Sequence, residues 1–179
     1  MKVFLTSLRS LIFFILVLGG IYPLTITLLG SVLSPIRSHG SLLLKDQKVI
    51  GSELIGQKFT QEKYFWGRPS NADYVPLNSS ATQRSGTDKK LYEAYKERSD
   101  KMPGAPADLL WASGSGLDPH ISLKAAKYQI PRIAQVRNMS RDVLEKLILK
   151  AAEDRFLGFM GQSRINVLEL NLLLDRQEM

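Results

Sequence analysis

From Ser10 to Ile36 the chain carries no charged side chain, and this run limits the possible folds more than any other feature. Its core, LIFFILVLGGIYPLTITLLGSVL at 11–33, supplies the roughly 20 apolar residues a helix needs to cross the hydrocarbon of a bilayer. A cleaved secretory signal is the competing reading, because Lys2 and Arg9 precede the run as a signal's basic end would. Signal cores are only about 7 to 15 residues long, however, and end at a small-residue A-x-A site. Here the first alanine is Ala72. The expectation is an uncleaved transmembrane helix over 11–33, behind a short cytoplasmic N-terminus at 1–10. Pro23 lies mid-span and frees a carbonyl that a neighbouring helix, a hydroxyl or a local kink must satisfy.

The charges flanking the span nearly balance, with Lys2, Arg9 and the terminal amine on one side and Arg37, Lys45 and Lys48 on the other. Long domains cross membranes largely regardless of charge, so the short N-terminus is expected in the cytoplasm and residues 34–179 outside it. The absence of cysteine does not test this, since disulfides are common but not compulsory there. The whole chain carries +7, or +5 once Lys2 and Arg9 are set aside. That excess suits an anionic membrane surface or an acidic partner. Its charges are interspersed, without the basic runs of a nucleic-acid arm. A tethered module for anionic lipid or polymer is thus one functional class the sequence allows.

After the span the pattern mixes strands and helices, an α/β (α+β) extracytoplasmic domain. Ser41 to Leu44 and Val49 to Leu54 read as short strands around the polar turn Lys45-Asp46-Gln47-Lys48. Tyr64, Phe65 and Trp66 precede the breaker Gly67-Arg68-Pro69-Ser70, and such aromatics belong to packing. Residues 71–86 are a polar loop. Thr87 is the expected cap of a helix through Lys101, with a thin stripe of Leu91, Tyr95 and Met102. Ala107 to Ala112 reads as a strand. Ser122 caps a segment through Arg137 that Pro131 should kink or split. Ser140 caps a further helix in which Val143, Leu144, Leu147, Ile148, Ala151 and Phe156 form a core stripe. Ile165 to Asp175 fits a strand by its alternating leucines and a helix by the capping pair Asn166 and Glu169.

The stretch ASGSGLDPHIS at 112–122 concentrates the residues that could do chemistry. A hydrolase nucleophile needs G-x-S-x-G, but Ser113 follows Trp111 by two positions and Ser115 precedes Leu117 by two. Ser115, Asp118 and His120 could form a triad only by converging from one short turn. A dinucleotide fingerprint fails at Pro119, a Walker loop is absent, and a metal would find no cysteine and only the distant His39 as a second histidine. A structural reading accounts for the residues instead: Gly114 and Gly116 at positive φ, Pro119 fixing the backbone, Asp118 accepting local amides and His120 as an orienting hydrogen-bonder.

With the apolar span, the segments GSELIGQKF at 51–59, YFWGRPS at 64–70, SGSGLDPHIS at 113–122 and RINVLELN at 164–171 closely resemble the C subunit of the Kdp potassium-transporting ATPase, over essentially the whole chain. The resemblance implies a non-catalytic accessory subunit of an ATP-driven potassium importer in a bacterial cytoplasmic membrane. Its implied partners are a potassium-conducting channel-like subunit, a P-type ATPase subunit and a small single-span peptide. It implies a role in assembly and as a catalytic chaperone that raises the pump's affinity for ATP. It implies no directly bound cofactor, ATP and potassium being handled by the complex. The expected mode is a cap over the potassium entrance, with Trp66, Arg68, Asp118 and His120 as interface candidates and Ile12 to Val32 packed on the pump's helices. One departure from the family's usual Ser-Gly-Gly-Ser-Asn-Leu-Gly is Ser79-Ser80-Ala81-Thr82-Gln83-Arg84-Ser85, which lacks the glycines that let a backbone wrap a phosphate.

Overall fold

An uncharged run of this length satisfies its backbone polar groups in lipid only by coiling into a helix. The computed structural model describes residues 1–45 and 47–177. In it, α1 (Lys2–Leu16) passes through a π-helical segment, Val17–Ile21, into α2 (Tyr22–Leu33). Lys2–Leu33 is thus one long helix whose most apolar 18-residue stretch has mean hydropathy 2.3, a candidate membrane span by length and composition. The π segment sits just ahead of Pro23, whose ring displaces the ordinary hydrogen-bond ladder. Tyr22 N–H donates to the Val17 carbonyl five residues back, and Thr25 Oγ1 donates to the Ile21 carbonyl at 2.8 Å. The hydrogen-bond register thus shifts just before the proline, and the Thr25 hydroxyl adds a bond to the Ile21 carbonyl beside it. After the short helix α3 (Pro35–Ser38), β1 (Leu42–Lys45) and β2 (Lys48–Ser52) pair in a two-stranded sheet. Both strands fall within two residues of expectation. Of the turn between them, Gln47 has φ 62° and Asp46 lies outside the described residues.

The chain divides into two units, 1–49 and 50–179. The second is an α+β fold built on a three-stranded antiparallel sheet of β3 (His120–Ser122), β5 (Arg164–Asn166) and β4 (Ala152–Glu153), with β5 in the middle. Register pairs Ile121 with Ile165 and Ile165 with Ala152, so the central isoleucine is fully buried. Against the sheet pack α6 (Leu123–Arg137), α7 (Arg141–Ala151) and α8 (Val167–Asp175). Ile133, Leu144, Ile148, Leu170 and Leu174 meet Phe65 in one core. Each such side chain contributes about 1.5–3 kcal/mol relative to exposure. Ser122 and Ser140 cap α6 and α7 by accepting from Ala125 N–H and Val143 N–H, as expected.

Several expectations are corrected. Ala107 to Ala112 is not a strand: Ala107–Leu110 forms a single helical turn, α5, that buries both Leu109 and Leu110, which an alternating strand would send to opposite faces. The helix α4 (Lys89–Lys101) is capped by Asp88, which accepts Lys90 N–H at 2.7 Å, while the Thr87 hydroxyl pairs with Ser85. Pro131 does not split α6, because it lies on the exposed face where water can take up the freed carbonyl. Asn166 accepts from Leu168 and Glu169 N–H, so the ambiguous C-terminal segment leaves β5 at the cap and becomes a helix. Phe156 is not core. It lies beyond the end of α7 and is 68% exposed.

Candidate functional site

The loop Ala112–Ser122 enters β3 and is laced to its neighbours mainly through backbone atoms. Gly56 N–H donates to the Leu117 carbonyl at 2.7 Å, Ser113 N–H to Pro69 at 3.1 Å, Ser70 Oγ to Gly116 at 2.6 Å and Ser79 Oγ to Ser115 at 3.0 Å. Gly116 has φ 70°, and a Cβ there would lie 2.9 Å from the Ser80 carbonyl oxygen, so glycine is required on both counts. Gly114 does not share that geometry. Its φ is not positive and a Cβ would meet open space, contrary to expectation. Pro119 offers its carbonyl to Val167 N–H at 2.9 Å, which ties the loop to the start of α8.

At the end of this loop Arg68, Asp118 and His120 come together. Arg68 Nη1 donates to Asp118 Oδ2 at 2.9 Å, and Asp118 Oδ1 accepts His120 N–H at 3.0 Å, the local amide bond expected of it. His120 Nδ1 lies 3.4 Å from the same oxygen. Burial by itself would raise the Asp118 carboxyl, but the His120 ring, the His120 amide and the Arg68 guanidinium outweigh it and hold the group at about 2. Tyr74 lies behind the pair, its hydroxyl donating to the Arg68 carbonyl. Burial and then the Asp118 charge push its phenol up to about 12, against the opposing pull of Arg68. Among the described residues, Arg68 Nε is buried without a hydrogen-bond partner. Arg68, Asp118 and His120 line an open cavity of about 690 Å³ together with Asp108, Lys124 and Arg164.

Trp66 is not part of this cluster. Its indole lies under Arg132, whose guanidinium carbon is 3.7 Å from the ring centroid, and its Nε1–H donates to the Gln61 carbonyl at 3.1 Å. What positions both Trp66 and Arg68 is a pair of carboxamides. Asn171 on α8 accepts Phe65 N–H at 2.8 Å and returns a donor to the Phe65 carbonyl at 3.0 Å. Gln129 on α6 does the same for Trp66, at 2.8 and 3.1 Å. Both side chains are buried, at 2% and 3% exposure, and stand in for the neighbouring strand this segment lacks. Sequence reasoning missed them. The available signal was a polar residue inside an apolar helical stripe, Gln129 beside Ile130 and Asn171 between Leu170 and Leu172.

As a reaction centre the arrangement is incomplete. Ser115 Oγ accepts Leu117 N–H at 3.1 Å, and among the described residues no hydrogen bond joins it to His120. The charged groups instead hold one another and the loop backbone.

Comparison with known proteins agrees with this whole-chain pattern. The sequence family described as "KdpC: K+-transporting ATPase, c chain" matches residues 4–176. A protein of Methylococcus capsulatus named "Potassium-transporting ATPase KdpC subunit" is 45% identical over 96% of this chain and 96% of its own length. Proteins of the same name from Caldanaerobacter subterraneus subsp. tengcongensis and Geobacter sulfurreducens are 42% and 43% identical, covering 94% and 98% of this chain and 92% and 98% of their own lengths. With an apolar N-terminal helix, a small α+β unit and a match from end to end, the chain belongs to the family of K+-transporting ATPase c chains.

Proposed function

We propose that the chain is the accessory subunit of an ATP-driven potassium import complex, held in a bacterial cytoplasmic membrane by Lys2–Leu33 with its folded domain outside the cell's cytoplasm. The observation that carries this reading is the family match over residues 4–176. The domain does no bond chemistry in this account. It docks near the entrance of the potassium-conducting subunit, and Trp66, Arg68, Asp118 and His120 supply contact surface from loops made rigid by the carboxamide pair. The P-type subunit and a small single-span subunit complete the assembly.

A domain on the far side of the membrane from ATP can raise the pump's nucleotide affinity only by favouring one of its states, a coupling free energy passed through the membrane subunits. Nucleotide crosslinking to the outer domain, competed by unlabelled ATP, would count against that route. The primary test is purification of the chain from membranes in mild detergent. Potassium-pump subunits should come with it, and deletion of the chain should abolish assembly and high-affinity potassium uptake. Assembly and uptake untouched by deletion would defeat the proposal. A membrane-anchored hydrolase working through Ser115, Asp118 and His120 predicts instead an activity that His120→Ala destroys.

A further inference from the structure

The hairpin joining β4 to β5 turns its largest apolar side chains outward. Phe156, Leu157, Phe159 and Met160 are 68%, 71%, 72% and 51% exposed. The tip closes on itself: Phe156 and Met160 form an antiparallel bridge, each N–H donating to the other's carbonyl at 2.9 Å. Leu157 at φ 52° and Gly158 at φ 81° turn the chain. Leucine in the left-handed region is strained where glycine would not be. Four large side chains left in water also forgo the stabilisation that burial would bring. A cluster of this size on a small domain marks a contact surface.

We propose that this tip inserts into the interfacial zone of a lipid bilayer, as a second and reversible membrane contact beside the N-terminal helix. The proposal rests on that helix spanning the membrane, not on the transport reading. Three observations favour lipid over a protein pocket. The apolar side chains surround the turn, two on the bridge and two between, so they suit a medium that accepts surface from every side. The chain carries its own candidate span, and residues 34–49 reach at most roughly 60 Å even fully extended. A tethered tip needs only weak intrinsic affinity, since the second contact is intramolecular. Finally, residues after Ile36 carry +5, complementary to anionic headgroups; around the tip Glu153 is neutralised by Arg164 at 2.7 Å, leaving Lys150 and Arg155 against Asp154.

The chain has no cysteine, so Leu157→Cys or Phe159→Cys introduces a single site for an environment-sensitive NBD fluorophore. The full-length variants are reconstituted into phosphatidylethanolamine–phosphatidylglycerol vesicles with and without brominated acyl chains. Leu77→Cys, at a separate loop position that is 96% exposed, is the water reference. Both tip labels should emit to the blue of the reference and be quenched severalfold more by bromolipid. Emission and quenching equal to the Leu77 label at both tip positions would overturn the proposal. So would protection from water that arises only when other pump subunits are added and brings no bromolipid quenching, which would assign the tip to a protein pocket.

Discussion

Replacing Asn171 by alanine removes one side chain and strands two backbone groups. The Phe65 N–H and carbonyl, now bonded to the carboxamide at 2.8 and 3.0 Å, have no other strand to turn to, and Phe65 itself is fully buried. An unpaired buried polar group costs about 1–3 kcal/mol, so two give roughly 2–6 kcal/mol before relaxation. Partial entry of water at the loop brings the expectation to about 2–4 kcal/mol, a large share of the roughly 5–15 kcal/mol that holds a domain folded. At roughly 2–4 °C per kcal/mol for a chain of this size, Tm should fall by about 5–15 °C. Urea unfolding of the full-length protein in mild detergent, followed by tryptophan fluorescence, measures this as a lower midpoint with an unchanged slope. Gln129→Ala should behave alike. The double variant should lose less than the sum, because both side chains hold one peptide segment. If Asn171→Ala costs no more than Asn78→Ala at the exposed turn Pro76–Asn78, within about 0.5 kcal/mol, the clamp does not hold the segment and the reasoning fails.

Gly116→Ala should destabilise by roughly 1–3 kcal/mol, from the left-handed backbone and the 2.9 Å approach to Ser80, whereas Gly114→Ala should be near neutral; the same unfolding assay separates them. Asp118 has a folded-state pKa held near 2, below its ordinary 3.8, so its ionised form contributes stability that is complete above about pH 4 and is lost as pH falls toward 2. The stability gap between the native chain and Asp118→Asn should therefore close over that window, and a gap that stays constant from pH 6 to pH 2 would refute the assignment. The Tyr74 phenol, raised to about 12 from its ordinary 10.0, should contribute its ultraviolet ionisation signal only as pH approaches 12, a step that Tyr74→Phe removes and that unfolding moves to lower pH.

The elements legible in the sequence are those whose information is local. The uncharged run before Arg37, the serine caps at 122 and 140, and the stripe of Leu144, Leu147 and Ile148 each carry their signal within one or two turns. Ala107 to Ala112 was misread because six residues cannot separate a buried turn of helix from a buried strand. Phe156 was misread because 3.6-residue spacing continues on paper beyond Ala151, where the chain leaves the helix for β4. In the candidate site the Asp118 turn was legible, since donor and acceptor are two residues apart. The Arg68–Asp118 contact spans 50 residues and the Phe65–Asn171 bond 106, separations that no window along the chain can see.

The two carboxamides fasten one peptide to two different helices, as a rivet passes through two plates. The strip bearing Trp66 and Arg68 is consequently tied to α6 and α8 as well as to the loop that carries Asp118. A load applied to that strip from outside is therefore passed through those bonds to both helices and to the core they cover.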